Sequence, residues 1–501
     1  MNTPIWDFVN RYAQSDTLRL HMPGHKGSGP IGAERFDITE VVGADALYEA
    51  SGIIAESEAN ASVLFGSART VYSAEGSSQC IRAMVYLAKM AWQERGGAGG
   101  RSEGDSGGAG PEGCGRRPGC AVMAAARNVH RSFVYACALA DVDVEWIDPE
   151  AEEDERPGAC GRARGSLLSC PIDPGVLERT LGSLCAPCCG VYVTSPDYTG
   201  RMQDIAGLSA VCRRFGVPLL VDNAHGAYLH FLPEPMHPLD LGADLCCDSA
   251  HKTLPVLTGG AYLHVGAAAP AVFGTYAKAA MALHGSTSPS YLILSSLDAC
   301  NGCLDGQLKR DLSAALPALS DLRKTLRDAG WEITESDPLH LTIAGNGKEI
   351  GEMLRACGIE PEYTGPDGAV LLFDAAHAPA DAKRVAAALE RPAPAADAPA
   401  VPRAPASPSA SQQLFGYAPA PGPLAPAAPP RPARVCTIRE AVFAPQETIP
   451  SAAAAGRIAA APTASCPPAI PPVMPGEVIT DAAIALLLRY GITQVSVIRE
   501  S

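Results

Sequence analysis

Lys252 lies in the run Asp248-Ser-Ala-His-Lys-Thr-Leu-Pro255, and Asp222, thirty positions earlier, lies in Val221-Asp-Asn-Ala-His-Gly-Ala227. Each follows a short apolar stretch, Leu245–Cys247 for the lysine and Val217–Val221 for the aspartate. An amine just past one strand and a carboxylate at the end of the preceding one suit chemistry on a pyridine aldehyde. The lysine forms a Schiff base, and the aspartate keeps the ring nitrogen protonated so that the ring withdraws electrons. That pair is what a pyridoxal-phosphate enzyme requires. Each residue alone has an ordinary explanation: most lysines sit on surface loops, and Asp222 equally suits an N-cap or a salt bridge.

The residues around the pair extend the argument. Ala224 is small enough to pack against a ring face. His225 is placed for a ring hydroxyl or a substrate carboxylate, and serves equally as a structural hydrogen bonder. Glu75-Gly76-Ser77-Ser78 opens a helix. A glycine followed by hydroxyls at a helix N-terminus makes an anion site from backbone N–H groups and the helix dipole. An ordinary N-cap looks the same in sequence, but Ser249 and His251 supply further donors for a phosphate. His130, just after a strand, suits stacking on a pyridine ring or a plain surface loop.

These residues need elements that bring them together. Ser78 to Trp92 reads as helix, Ala121 to Ala126 as strand, and Gly190 to Thr194 as a strand ending in Ser195-Pro-Asp-Tyr-Thr-Gly200. Ile205, Leu208, Val211, Cys212 and Phe215 share one helical face. Val217–Val221, Leu245–Cys247 and Ala261–Val265 are further apolar strands. Alternating strands and helices predict an α/β fold with a mostly parallel sheet covered on both faces. Asn128 and His130, Ser195, Asp222 and His225, and Ser249 to Lys252 all follow strands, and open α/β sheets bind ligands at those carboxyl ends. After about residue 300 the pattern changes to longer helices (Leu312–Ala329, Ile350–Cys357, Ala380–Leu389) with strands His340–Ala344 and Ala369–Phe373. That reads as a smaller α+β domain, and Asp481–Tyr490 as a last helix.

The resulting division is an N-terminal arm (1–40), a large domain (41–300), a small domain (301–391), a linker (392–432) and a C-terminal segment of the small domain (433–501). Residues 96–115 contain ten glycines and residues 392–432 thirteen prolines. Neither stretch buries enough apolar surface to offset its ordering entropy, so the first reads as a loop insertion and the second as a linker. Residues 150–170 read as another surface excursion. With 47% hydrophobic residues among 501 the chain has ample core. A net charge of −15 argues against a general nucleic-acid or anionic-membrane binder. No run approaches the ~18 apolar residues of a membrane span, and the N-terminus has no signal-peptide character. The 17 cysteines follow no framework spacing. Reduced thiols in a cytoplasmic protein are therefore expected. Cys185-Ala-Pro-Cys188-Cys189 is a lone C-x-x-C, too little to predict a metal.

Taken in order, the motifs resemble a known family. Arg127-Asn-Val-His-Arg-Ser132 resembles its R-N-x-H-K-S, and Ser195-Pro-Asp-Tyr-Thr-Gly200 its S/T-P-x-Y-x-G. The runs around Asp222 and Lys252 resemble its cofactor motifs, and Ser286-Thr-Ser-Pro-Ser-Tyr291 its S-T-S-P-x-Y. His21-Met-Pro-Gly-His-Lys-Gly27 resembles the N-terminal P-G-H-K signature, and Pro467 to Glu477 the C-terminal P-P-G-I-P…P-G-E. Together they are similar to the Orn/Lys/Arg decarboxylases of pyridoxal-phosphate fold type I, in the shorter bacterial form. Glu75 stands where the family usually has Asn, Cys466 where an aromatic residue is common, and Ala469 where the family has Gly.

The resemblance implies Lys252 as the Schiff-base lysine, Asp222 as the pyridinium partner and His130 as the stacking residue. It implies Gly76, Ser77, Ser78, Ser249 and His251 at the phosphate, with Ser195, Ala224 and His225 around the cofactor. In the family the S-T-S-P segment reaches a neighbouring subunit's phosphate, so Ser286 and Thr287 imply a homodimer or larger. Glu477 is the candidate for reading the substrate's distal cation, though it could equally start the final helix. The implied reaction is decarboxylation of arginine, lysine or ornithine, as in polyamine biosynthesis. The rivals are an aminotransferase or lyase of the same fold type, and a degenerate pyridoxal-phosphate-binding protein.

Overall fold

The computed structural model describes residues 1–97, 119–147, 169–184, 186–304, 306–390, 432–463 and 470–500. The proline-rich segment, most of the glycine-rich segment, nearly all of the 150–170 excursion, Cys185, Cys466 and Ala469 lie outside these residues.

Seven strands form the central sheet: β1 (Arg69–Ser73), β2 (Ala121–Ala126), β3 (Val142–Ile147), β4 (Cys188–Thr194), β5 (Leu219–Asp222), β6 (Leu245–Asp248) and β7 (Ala261–Val265). Their order is β1-β7-β6-β5-β4-β2-β3. β7 is antiparallel to both neighbours, and the remaining pairs are parallel. Side chains alternate between two cores, as the two-residue period of a strand dictates. Ala121, Met123 and Ala125 of β2 join the cluster formed with helices Ser77–Glu94, Arg131–Ala140 and Ala271–Ala282. Ala124 and Ala126 join the opposite cluster with helices Pro174–Ser183 and Ile205–Phe215. A strand buried on both faces needs no polar alternation, which is why these stretches read as plain apolar runs. The expected mostly parallel α/β sheet is present.

Helix ends on the sheet are set by local chemistry. Asp173 and Asp204 accept backbone N–H groups at the starts of the Pro174 and Ile205 helices. Gly216, at φ +64°, ends the Ile205 helix in the left-handed conformation.

The small domain carries an antiparallel sheet of β8 (His340–Ala344), β9 (Tyr363–Gly365) and β10 (Gly368–Leu372), ordered β8-β10-β9. Its helices span Gln307–Asp328, Gly347–Ala356 and Ala378–Ala388. The N-terminal arm contains helix Pro4–Gln14, whose Ile5 and Val9 are buried. The Trp6 backbone N–H donates to Asp298 Oδ2 (2.9 Å) on helix Tyr291–Leu304.

The C-terminal segment packs differently from expectation. β11 (Gln446–Pro450) and β12 (Gln494–Ile498) pair with each other, and Val473, Ile479, Leu487 and Val497 belong to a core separate from the small domain's. Helix Ile438–Phe443 packs on helix Arg131–Ala140 and on β3, and Arg439 Nη1 donates to the Ala138 carbonyl (2.7 Å). Arg489 and Tyr490 bind Asp367 of the small domain. The segment thus rests on the β3 edge of the large domain and touches the small one. No disulfide forms among the described cysteines. No helix among the described residues is long and apolar enough to cross a membrane.

Candidate active site

Parallel register brings the strand ends level. Thr194 of β4 pairs with Asp222 of β5, which pairs with Cys247 of β6. The residues that follow, Ser195, Asn223 and Ser249, therefore emerge side by side at one rim. Lys252 sits one turn further, in a four-residue helix, Ala250–Thr253.

Asp222 is 3% exposed. Tyr192 Oη donates to its Oδ2 (3.0 Å), and the Ala224 N–H (3.2 Å) and the Cys247 thiol (3.6 Å) reach Oδ1. All three donors are neutral, and no cation bonds this buried carboxylate among the described residues. Lys252 Nζ lies 2.8 Å from His225 Nε2. Burial, then Lys252, His340, His251 and His130, hold the His225 pKa well below the ordinary imidazole range. His130 caps helix Arg131–Ala140 by accepting the Ser132 N–H on Nδ1 (3.2 Å). Burial lowers its pKa, Asp222 raises it and Lys252 lowers it, so it faces both catalytic candidates.

The phosphate candidates converge in part. Ser249 Oγ donates to Ser77 Oγ (2.8 Å), across 172 residues of sequence. Ser77 and Ser78 begin an 18-residue helix, whose first-turn amides have no preceding helical carbonyl to bond. Gly76 adopts φ +72° with open space at its missing Cβ, so the glycine serves the backbone turn. Its N–H is committed to the Gly259 carbonyl (2.7 Å). His251 Nδ1 is committed to the Gly260 carbonyl (3.0 Å). Behind them Asp248 is fully buried, and His237 Nε2 (3.0 Å), His264 Nε2 (3.2 Å) and Asn223 Nδ2 (2.8 Å) all reach it. Burial pushes the Asp248 carboxyl up, but the two histidines outweigh that and hold it far below the carboxylate range. This cluster anchors the end of β6 immediately before Ser249.

Other expected residues are placed as follows. Ser195 is buried; its N–H donates to the Asp222 carbonyl (3.0 Å) and its Oγ accepts the Gln203 N–H (3.0 Å). Ala224 is buried beside Asp222 and His225. Ser286 and Thr287 are exposed, and the Ser286 N–H donates to Glu75 of the same chain. That contact places the S-T-S-P segment at the approach to its own Ser77 helix, and it gives the unusual Glu75 a partner. Glu477 is 2% exposed and binds Arg127 through two bonds of 2.7 and 2.9 Å. It also accepts the Met474 N–H (2.8 Å). It does not start the last helix, which begins at Asp481.

Sequence reasoning did not find His340 and Asp337. His340 opens β8, so a polar residue there reads as a strand end, and nothing in the chain links it to His225, 115 positions away. Tyr198, quoted only inside a motif, stands edge-on to His225 with ring centroids 5.7 Å apart and donates to Glu362 (3.1 Å).

The residues fit pyridoxal phosphate. Asn128 is 4% exposed, and neither of its amide atoms has a partner among the described residues; buried polar atoms left so call for a ligand or water. Asp222 offers a buried carboxylate to a protonated ring nitrogen. The Ser77–Ser249 pair at a helix N-terminus suits a phosphate. Lys252 would supply the amine.

Residues 117–373 match the family described as "Orn/Lys/Arg decarboxylase, major domain". The chain belongs to the Orn/Lys/Arg decarboxylase family. An arginine decarboxylase of Bacillus subtilis is 26% identical over 516 aligned positions, covering 97% of this chain and 93% of that one. An uncharacterized protein of the same organism is 27% identical, covering 71% and 70%. In fold, the chain is similar to a lysine decarboxylase of Francisella novicida, with TM-score 0.70, 15% identity, and coverage of 99% and 81%. A constitutive lysine decarboxylase of Escherichia coli has TM-score 0.67, 17% identity, and coverage of 99% and 82%. For this Orn/Lys/Arg decarboxylase family member, the fold is that of pyridoxal-phosphate fold type I.

Proposed function

We propose that this chain is a pyridoxal-phosphate-dependent decarboxylase of a basic amino acid, releasing CO2 and the corresponding amine. The observation that carries this reading is the placement of Lys252 and Asp222 at one sheet rim with the Ser77–Ser249 pair.

Bound pyridoxal phosphate supplies an electron sink for the pair that the departing carboxylate leaves behind. The chain does the rest. Ser77, Ser249 and the amides opening the Ser77 helix would hold the phosphate, with Ser78 and His251 at its border. Asp222 keeps a proton on the ring nitrogen, and the low dielectric around it makes that attraction strong. His130 would hold one side of the ring, and the small Ala224 would leave room for it. Lys252 would hold the cofactor between turnovers, and as an ammonium it would be the donor of the proton that Cα needs after CO2 leaves. Ser286 and Thr287, exposed on the chain, suit a second subunit and hence a homodimer.

Purified protein loaded with pyridoxal phosphate should release CO2 from arginine, lysine or ornithine, assayed in parallel. Lys252→Ala should abolish it. Stoichiometric pyridoxamine phosphate instead of CO2 would replace this reading with an aminotransferase. Bound cofactor with no turnover of any of the three would leave a degenerate binding protein.

A further inference from the structure

We propose that His340 and Asp337, residues of the small-domain side, form a buried proton store for Lys252, reached through His225. The contacts run in series. Lys252 Nζ is 2.8 Å from His225 Nε2. His225 Nδ1 is 3.3 Å from His340 Nε2, the long end of a hydrogen bond. His340 Nδ1 is 2.5 Å from Asp337 Oδ2, close but off the hydrogen-bonding line. Tyr228 Oη donates to Asp337 Oδ1 and accepts the Leu339 N–H (3.1 Å), so the carboxylate cannot turn away. His225 is 5% exposed, Asp337 1% and His340 0%.

Lone-pair bookkeeping leaves two arrangements. With His225 Nδ1 donating to His340 Nε2, a neutral His340 bears its proton on Nδ1, so Nδ1 is protonated in both. In the first, the Lys252 ammonium donates to His225 Nε2, His225 Nδ1–H donates to His340 Nε2, and His340 is neutral. In the second, the Lys252 Nζ–H bond breaks and a His225 Nε2–H bond forms. The His225 Nδ1–H bond breaks and a His340 Nε2–H bond forms. The net change is one proton moved, leaving Lys252 as a neutral amine and His340 as an imidazolium against Asp337. A buried imidazolium is tolerable only beside such a carboxylate.

Other charges nearby bear on the same proton. His130 and His251 act electrostatically on His225, and Asp222, Arg131 and Arg82 act on His130. At the far end, Arg323 faces Asp337 and donates to the backbone carbonyls of Asp337 (3.0 Å) and Pro338 (2.8 Å). Lys252 must be neutral whenever it attacks a carbon centre. His225, His340 and Asp337 are buried behind the partly exposed Lys252, so the store supplies a fixed acceptor for the proton that Lys252 sheds.

The proposal rests on Lys252 as the cofactor lysine, and not on which amino acid is decarboxylated. The test mixes apo-protein with pyridoxal phosphate and follows covalent attachment at Lys252 by timed borohydride trapping. Noncovalent binding is measured separately by equilibrium dialysis against Lys252→Ala backgrounds. His340→Gln should slow attachment roughly a hundredfold, the lower range for a positioned acid–base group, with noncovalent affinity unchanged. His377→Gln, on the exposed surface, should match the wild type. Attachment at the wild-type rate in His340→Gln overturns the proposal, and so does a slowing matched by an equal loss of noncovalent affinity. No attachment in the wild type would overturn the cofactor reading and this proposal together. Nitrogen-15 spectra of the wild-type apo-protein test it without any variant: the His340 proton is expected on Nδ1, and finding it only on Nε2 overturns the store.

Discussion

At the scale of single residues, Arg127 and Glu477 separate two uses of a buried carboxylate. The guanidinium, 6% exposed, takes both Glu477 oxygens. Removing one member of such a pair leaves the other charged and uncompensated. Glu477→Gln should therefore lower unfolding stability by about 3–5 kcal/mol, read from denaturant titration, with the KM for the amino acid unchanged. A raised KM at unchanged stability would instead make Glu477 the reader of the substrate's distal cation. The sequence could not choose between these roles, because Arg127 lies 350 positions away and only folding brings it to Glu477. Asp222 and Lys252 were legible because Asp222 ends one apolar strand and Lys252 lies in the short helix that follows another.

At the scale of elements, the phosphate-side loop depends on a backbone contact between two turns. The Gly76 N–H meets the Gly259 carbonyl, and Gly259 adopts φ +100°. A Cβ on Gly259 would stand 3.1 Å from the Ala74 carbonyl oxygen and from Ile293 Cδ1. Neither the left-handed backbone nor a main-chain oxygen gives way easily, and such strain costs of order 1–3 kcal/mol. Gly259→Ala should shift the start of the Ser77 helix and weaken cofactor retention by roughly tenfold, about 1.4 kcal/mol, measured by equilibrium dialysis. Unchanged retention would show that the Ser77–Ser249 pair does not depend on this turn. Most elements that carry the site were readable, since strands buried on both faces appear as apolar runs. The N-terminal helix and the β11–β12 pair were not, because short amphipathic segments take their structure from what they pack against.

At the scale of the whole molecule, the N-terminal helix is held through Asp298. This carboxyl accepts the Trp6 N–H and the Ser57 hydroxyl, and burial raises its pKa to about 6 from 3.8. A raised pKa means that the folded state binds the proton more tightly than the unfolded state. The stability this provides is full below about pH 4 and is lost as the pH rises through about 6. At neutral pH the ionised group then costs on the order of 3 kcal/mol. Asp298→Asn should be more stable than the wild type at pH 7 to 8, and the difference should vanish near pH 4. An equal pH dependence for both proteins would contradict this assignment. The sequence by itself determined the parallel sheet, the strand ends that bear Asn128, Ser195, Asp222 and Lys252, and the family, because strand periodicity and local motifs are short-range properties. The tertiary structure alone decided that Arg127 claims Glu477, that the C-terminal segment rests on the β3 edge, and that His340 and Asp337 stand behind His225 and Lys252. Those contacts join residues more than a hundred positions apart, and their pairing depends on how whole elements pack, which no local pattern encodes.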